Sequence, residues 1–163
     1  MANAHLTTYL NDHLAGANAL LELLEHVESW YPGTDVGRFA KVLHDEVNED
    51  RQTLEAVMRL LNAPVSNTRQ KVGWLGSKAA DLKLKLDDST GGTFRLLEAM
   101  EVASIGIEGK RLLWVAMGNL AKEDIRIAGT DFDMLDRRAA DQRQRVETVR
   151  VQAVMRAFDP ALS

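Results

Sequence analysis

The chain has no cysteine among its 163 residues, only three prolines, and aromatic side chains at 6%. Without cysteine there is no thiol nucleophile, disulfide framework, iron–sulfur cluster or Cys-type zinc site, and a reducing compartment is the natural setting. No apolar run reaches the length of about 18 residues that a bilayer demands. The opening stretch Met1-Ala2-Asn3-Ala4-His5-Leu6-Thr7-Thr8 lacks the basic start and apolar centre of a secretory signal. A cytoplasmic protein with no membrane partner is expected. An excess of positive charge is missing too. Of the 20 basic and 24 acidic residues, 7 and 11 fall in residues 1–82 and 13 of each in residues 83–163. Neither half carries a nucleic-acid footprint. No nucleophile elbow, phosphate loop or dinucleotide fingerprint occurs.

What is present is helix, in one domain spanning residues 1–163. The prolines Pro32, Pro64 and Pro160 stand where periodic apolar segments end. The first helix runs from about residue 4 to Trp30, with Leu10, Leu14, Ala17, Leu21 and Leu24 on one face. Tyr31-Pro32-Gly33 stops it, and Thr34 or Asp35 caps a second helix striped by Val36, Phe39, Leu43, Val47, Leu54, Val57 and Leu61. So short a turn makes an antiparallel hairpin. Residues 65–94 form a long connection holding Trp74 and a short helix near Ser77 to Lys85. A third helix follows from about Thr93 to Ala121 and a fourth from about Asp131 to Phe158.

Short, long and moderate connections in that order resemble the ferritin-like four-helix bundle, in which one long crossover joins two antiparallel hairpins. The expected fold is therefore all-α, with a short extra helix in the crossover. In that family the resemblance implies carboxylate-bound iron or manganese, held by Glu residues and Glu-x-x-His pairs. This chain has no Glu-x-x-His: His5, His13, His26 and His44 follow Ala2, Leu10, Leu23 and Lys41 at that spacing. The resemblance thus implies the fold more strongly than the metal chemistry.

Polar residues on the apolar stripes are the informative ones. Asp50 lies between Val47 and Leu54, Glu46 lies one turn earlier, Gln142 sits between Ala139 and Val146 with Arg138 and Arg145 beside it, and Glu28 falls on the first stripe. His13 lies at the edge of that stripe. A buried carboxylate needs a cation, a metal, hydrogen bonds or a proton, and His13, Arg111, Arg138, Gln142 or a metal ion could serve Asp50. The third helix is apolar around most of its circumference, with one polar line through Glu101, Ser104, Glu108, Arg111 and Asn119. That line either faces solvent or faces inward, where it would leave Leu113, Trp114 and Met117 to bind a second subunit as a homodimer. Two functions compete: a non-catalytic bundle whose polar layer of Asp50, Gln142, Arg111, Arg138 and Glu28 is structural, and a metal-dependent oxidoreductase or metal-handling protein with Glu46, Asp50, Glu101, Glu108 and His13 as ligands. A helical module for a protein or small apolar ligand is the third.

Overall fold

Four helices make up the computed structural model, which describes residues 3–66 and 92–159: α1 Ala4–Trp30, α2 Asp35–Leu60, α3 Gly92–Leu120 and α4 Phe132–Phe158. No strand occurs among the described residues. The short helix expected near Ser77 to Lys85, and Trp74 with it, lies outside them.

The starts of α1, α2 and α4 have a local cause, a side-chain oxygen that accepts from an otherwise orphaned backbone N–H. Asn3 accepts from the His5 N–H, Thr34 from that of Gly37 and Asp131 from that of Met134. Between α1 and α2, Gly33 adopts a φ of 72°, open to glycine and costly for a side chain. Gly37 answers a different demand. A Cβ there would stand 2.2 Å from the Tyr31 carbonyl oxygen. Gly37→Ala should therefore cost about 1–3 kcal/mol by prising the turn open. Urea unfolding measures this, and an unchanged midpoint would mean that the turn yields freely.

Within α3, Gly118 lies close against Phe132, where a Cβ would stand 3.3 Å from the Phe132 Cβ, but Gly106 and Gly109 have no such explanation. A Cβ at Gly106 would make an ordinary 3.8 Å contact with Leu20, and one at Gly109 would meet open space. Neither is required by the close helix approach that mid-helix glycines suggest.

Side-chain contacts fix the directions of the helices. The Tyr31 hydroxyl donates to the Gly92 carbonyl at 2.8 Å, the Arg95 guanidinium lies 4.3 Å from the centre of the Trp30 ring, and Leu20 faces Gly106. The end of α1 thus meets the start of α3, and the two run antiparallel. Ion pairs from Asp50 to Arg138 and from Glu46 to Arg145 set α2 antiparallel to α4 in the same way. Within each hairpin, α1 with α2 and α3 with α4, the backbones stay close. Contact is sparser between α1 and α3 and sparsest between α2 and α4, and the diagonal pairs do not meet at backbone level. The Arg126 guanidinium, between α3 and α4, donates to the Leu61 carbonyl at 3.2 Å and pins the end of α2 to that end of the bundle. The end of α2 and the start of α3 consequently lie at opposite ends, separated by a helix length of about 40 Å.

The core follows the stripes. Leu10, Leu14 and Leu24 of α1, Leu43, Val47, Leu54 and Val57 of α2, and Leu135, Ala139 and Val146 of α4 are buried, as their spacing predicts. In α3 a buried stripe runs through Leu96, Met100, Ala103, Ile107, Lys110, Trp114 and Met117, at alternating spacings of four and three, and Leu97, Ala99 and Leu113 are buried beside it. Leu113, Trp114 and Met117 are thus covered by their own chain. This corrects the expectation that they form an outer apolar face: the exposed apolar side chains of α3 are Phe94, Ile105, Leu112 and Val115. No described helix is long and apolar enough to cross a membrane.

Candidate functional site

Asp50, Lys110 and Gln142 are the polar residues buried among the described ones, and they meet. Asp50 stands on the core face of α2, where the stripe continues from Val47 to Leu54 through a carboxylate. Its side chain is 1% exposed. The Lys110 ammonium donates to Asp50 Oδ2 and to Gln142 Oε1, both at 2.5 Å. Gln142 Nε2 donates to the same Oδ2 at 3.2 Å. The other carboxylate oxygen is held by Arg138, through Nε at 3.0 Å and through a terminal nitrogen. A carboxylate offers about four lone-pair positions, and four donor groups occupy them.

This cluster joins three helices. Arg138 and Gln142, one helical turn apart on α4, reach α2 from its neighbour, whereas Lys110 reaches it from α3, across the diagonal. Two further carboxylates on α2 extend the cluster. Glu49 accepts from Arg138 at 3.0 Å, and Glu46 accepts from Arg145 at 2.5 Å. Glu46, Glu49 and Asp50 thereby face Lys110, Arg138 and Arg145, and Arg145 also holds Asp141 of its own helix at 2.8 Å. Burial draws the Lys110 ammonium below its ordinary pKa, while the Asp50 carboxylate pulls it back upward.

The burial effect has a testable sign. The folded pKa of Lys110 is lowered from 10.5, so between the lowered value and 10.5 the unfolded chain binds more protons than the folded one. Stability rises with pH through that window. The stability of the wild type relative to Lys110→Met should therefore grow as pH is raised from neutrality toward 10.5. A difference that stays flat or shrinks in denaturant titrations would show that Asp50 offsets burial completely.

The remaining expected site residues lie elsewhere. Arg111 donates to Asp136 at 3.0 Å and to Glu108 at 3.3 Å, not to Asp50. Glu108 also faces Arg143 at 3.4 Å, and Glu101 faces Arg150 at 3.6 Å. The polar line of α3 therefore does not point to the bundle axis; Glu101 and Asn119 are exposed, while Glu101, Glu108 and Arg111 meet charged partners on α4. It runs along the flank facing α4, where arginines meet it. Glu28 lies where α1 ends, its carbonyl accepting from the Tyr31 N–H, and it has no hydrogen bond to the Asp50 cluster. His13 is half-buried, stacked edge-on against Tyr9 with ring centres 4.6 Å apart. Burial lowers its pKa, and neighbouring Asp12 raises it.

Glu46, Asp50, Glu101, Glu108 and His13 are thus not brought together. Among the described residues no group of three or more His, Asp or Glu side chains could hold a metal ion. Glu46, Asp50, Glu101 and Glu108 each face a basic side chain instead. Cations already in place repel a further cation and occupy the oxygens it would need. The arrangement can neutralise a buried charge and bind helices to one another, with both Asp50 oxygens engaged.

The apolar stripes do not single out Lys110 or Glu49. A signal for Lys110 did exist: it fills the four-and-three spacing between Ile107 and Trp114. The nearly continuous apolar circumference of α3 conceals that spacing, because almost any line drawn along the helix reads as core. Comparisons with models of protein families, with curated proteins and with solved structures find no match to this chain.

Proposed function

We propose that this chain is a ferritin-like four-helix bundle without catalytic function, whose interior polar layer serves to fix the pairing of its two hairpins. The ferritin-like reading is supported by neighbours that are all antiparallel and by the single long connection between opposite ends of the bundle. The structural reading of the layer rests on one observation, the filling of every acceptor position of buried Asp50 by Lys110, Arg138 and Gln142. A carboxylate that works as a ligand or base keeps an oxygen for metal or substrate, and Asp50 keeps none. Buried charges contribute little net stability but penalise any arrangement that leaves them unpaired. A layer contributed by both hairpins therefore selects one register over its neighbours.

The test is elemental analysis of protein purified without chelator, together with thermal melts in the presence and absence of added manganese or ferrous iron. The expected result is no stoichiometric metal and an unchanged melting temperature. Metal near one or two equivalents, with a rise in melting temperature that Asp50→Ala abolishes, would overturn the proposal in favour of a metal centre at Glu46 and Asp50.

A further inference from the structure

The two seams between the hairpins are built differently. Along α1 and α3, Leu20 packs on Gly106, Arg95 covers the Trp30 ring, and Tyr31 bonds to the Gly92 backbone. Along α2 and α4 the backbones approach at few positions, and long charged side chains span the gap. Arg138 reaches Asp50, Glu49 and the Glu46 carbonyl, Arg145 reaches Glu46, and Gln142 reaches Asp50. The α2 side chains of these ties are three carboxylates within five residues, from Glu46 to Asp50. Two further cations of the second hairpin belong to the same set of ties, Lys110 of α3 on Asp50 and Arg126 on the Leu61 carbonyl, whereas no side chain of α1 is hydrogen-bonded or ion-paired to Asp50 among the described residues. Each hairpin is closed by its own turn and its own apolar contact, so parting the hairpins need break neither.

We propose that the α2–α4 seam is a charge latch, along which the bundle opens as two intact hairpins while the α1–α3 seam stays closed. The proposal rests on the structural reading of the Asp50 layer given above. Polar ties across a wide gap lose their hold when one partner is neutralised, because each arginine serves more than one acceptor. Among the described residues, the α1–α3 seam, where the backbones come closer, depends on charge only through Arg95 over the Trp30 ring. Sub-global opening of this kind follows the least apolar boundary between cooperative units. Opening would bare the inner faces of α2 and α4, lined by Leu43, Val47 and Leu54 on one side and Leu135, Ala139 and Val146 on the other.

The absence of cysteine makes the test clean. Labels at Val42→Cys and Thr148→Cys, exposed positions flanking the Glu46–Arg145 pair, report the α2–α4 distance. Labels at Ala15→Cys and Leu112→Cys, also exposed, report the α1–α3 distance in a second protein. Both distances are measured by electron spin resonance in the wild-type background and with Arg138→Gln and Arg145→Gln together. The latch predicts that the double substitution lengthens the α2–α4 distance by about one helix diameter, roughly 10 Å, in a substantial share of molecules, with the α1–α3 distance and helical circular dichroism unchanged. Equal lengthening across both seams with loss of helix would mean that the bundle unfolds as one unit. No change in either distance would mean that apolar packing alone holds the seam. Either result overturns the latch, and the metal analysis above decides the structural reading independently.

Discussion

Asp50→Ala is expected to destabilise the fold by about 3–5 kcal/mol, the cost of leaving the buried Lys110 ammonium without its anion. The loss comes from what remains rather than from what is removed. Lys110 and Arg138 converge on Asp50 from two helices; in the Ala variant the partly exposed Arg138 keeps Glu49, whereas the buried Lys110 ammonium loses its only anion and keeps Gln142 Oε1 alone. For a chain of this size, that loss lowers the melting temperature by roughly 10–15 °C. Lys110→Met, by contrast, leaves Asp50 with Arg138 and Gln142 and replaces the ammonium with an apolar chain of similar length, so its cost is well below that of Asp50→Ala. Urea unfolding of both variants checks the order. Equal losses would mean that the site responds to volume and not to charge.

A loss of similar size is expected at Trp114 for an unrelated reason. Its side chain is 1% exposed and lies in the α3 stripe one turn beyond Lys110, its ring centre 6.2 Å from that of Phe132. Trp114→Ala removes the largest side chain of the core and leaves a cavity that straight helices cannot collapse to fill, at about 3–5 kcal/mol. Trp114→Phe should cost much less. The indole Nε1 has no hydrogen-bond partner among the described residues, so Phe removes an unsatisfied donor along with some volume. Thermal melts of the pair test this directly, and a Phe variant as unstable as the Ala one would assign the indole N–H a bond of its own.

Most of the fold is legible in the sequence because its punctuation is local. Thr34 caps α2 and Asp131 caps α4, Tyr31-Pro32-Gly33 stops α1, and the apolar spacing of α1, α2 and α4 singles out the faces that are buried. The same spacing exposes Asp50 and Gln142 as polar residues at core positions, and both are buried. Partners are harder to read, because they depend on how far a side chain reaches across the bundle. Arg138 and Arg111 both flank an apolar stripe, yet only Arg138 stands on the side of its helix that faces α2; Arg111 faces α4 and meets Asp136. Lys110 escapes notice for a third reason: its long aliphatic stem lies among apolar residues and only its tip is charged. The faces of α3 are the least legible, since a helix apolar nearly all round gives periodicity nothing to act on. Hence the buried Leu113, Trp114 and Met117 read as surface, while the exposed Ile105, Leu112 and Val115 pass unnoticed.

The central claim is that Asp50 and Lys110 act on one another across the diagonal of the bundle as a structural pair. A double-mutant cycle in urea, built from Asp50→Asn, Lys110→Met and their combination, measures that interaction directly. The double variant is expected to lose less stability than the two single losses together, by about 1–3 kcal/mol. Additive losses would contradict it, placing Asp50 and Lys110 in the same core without energetic dependence on each other.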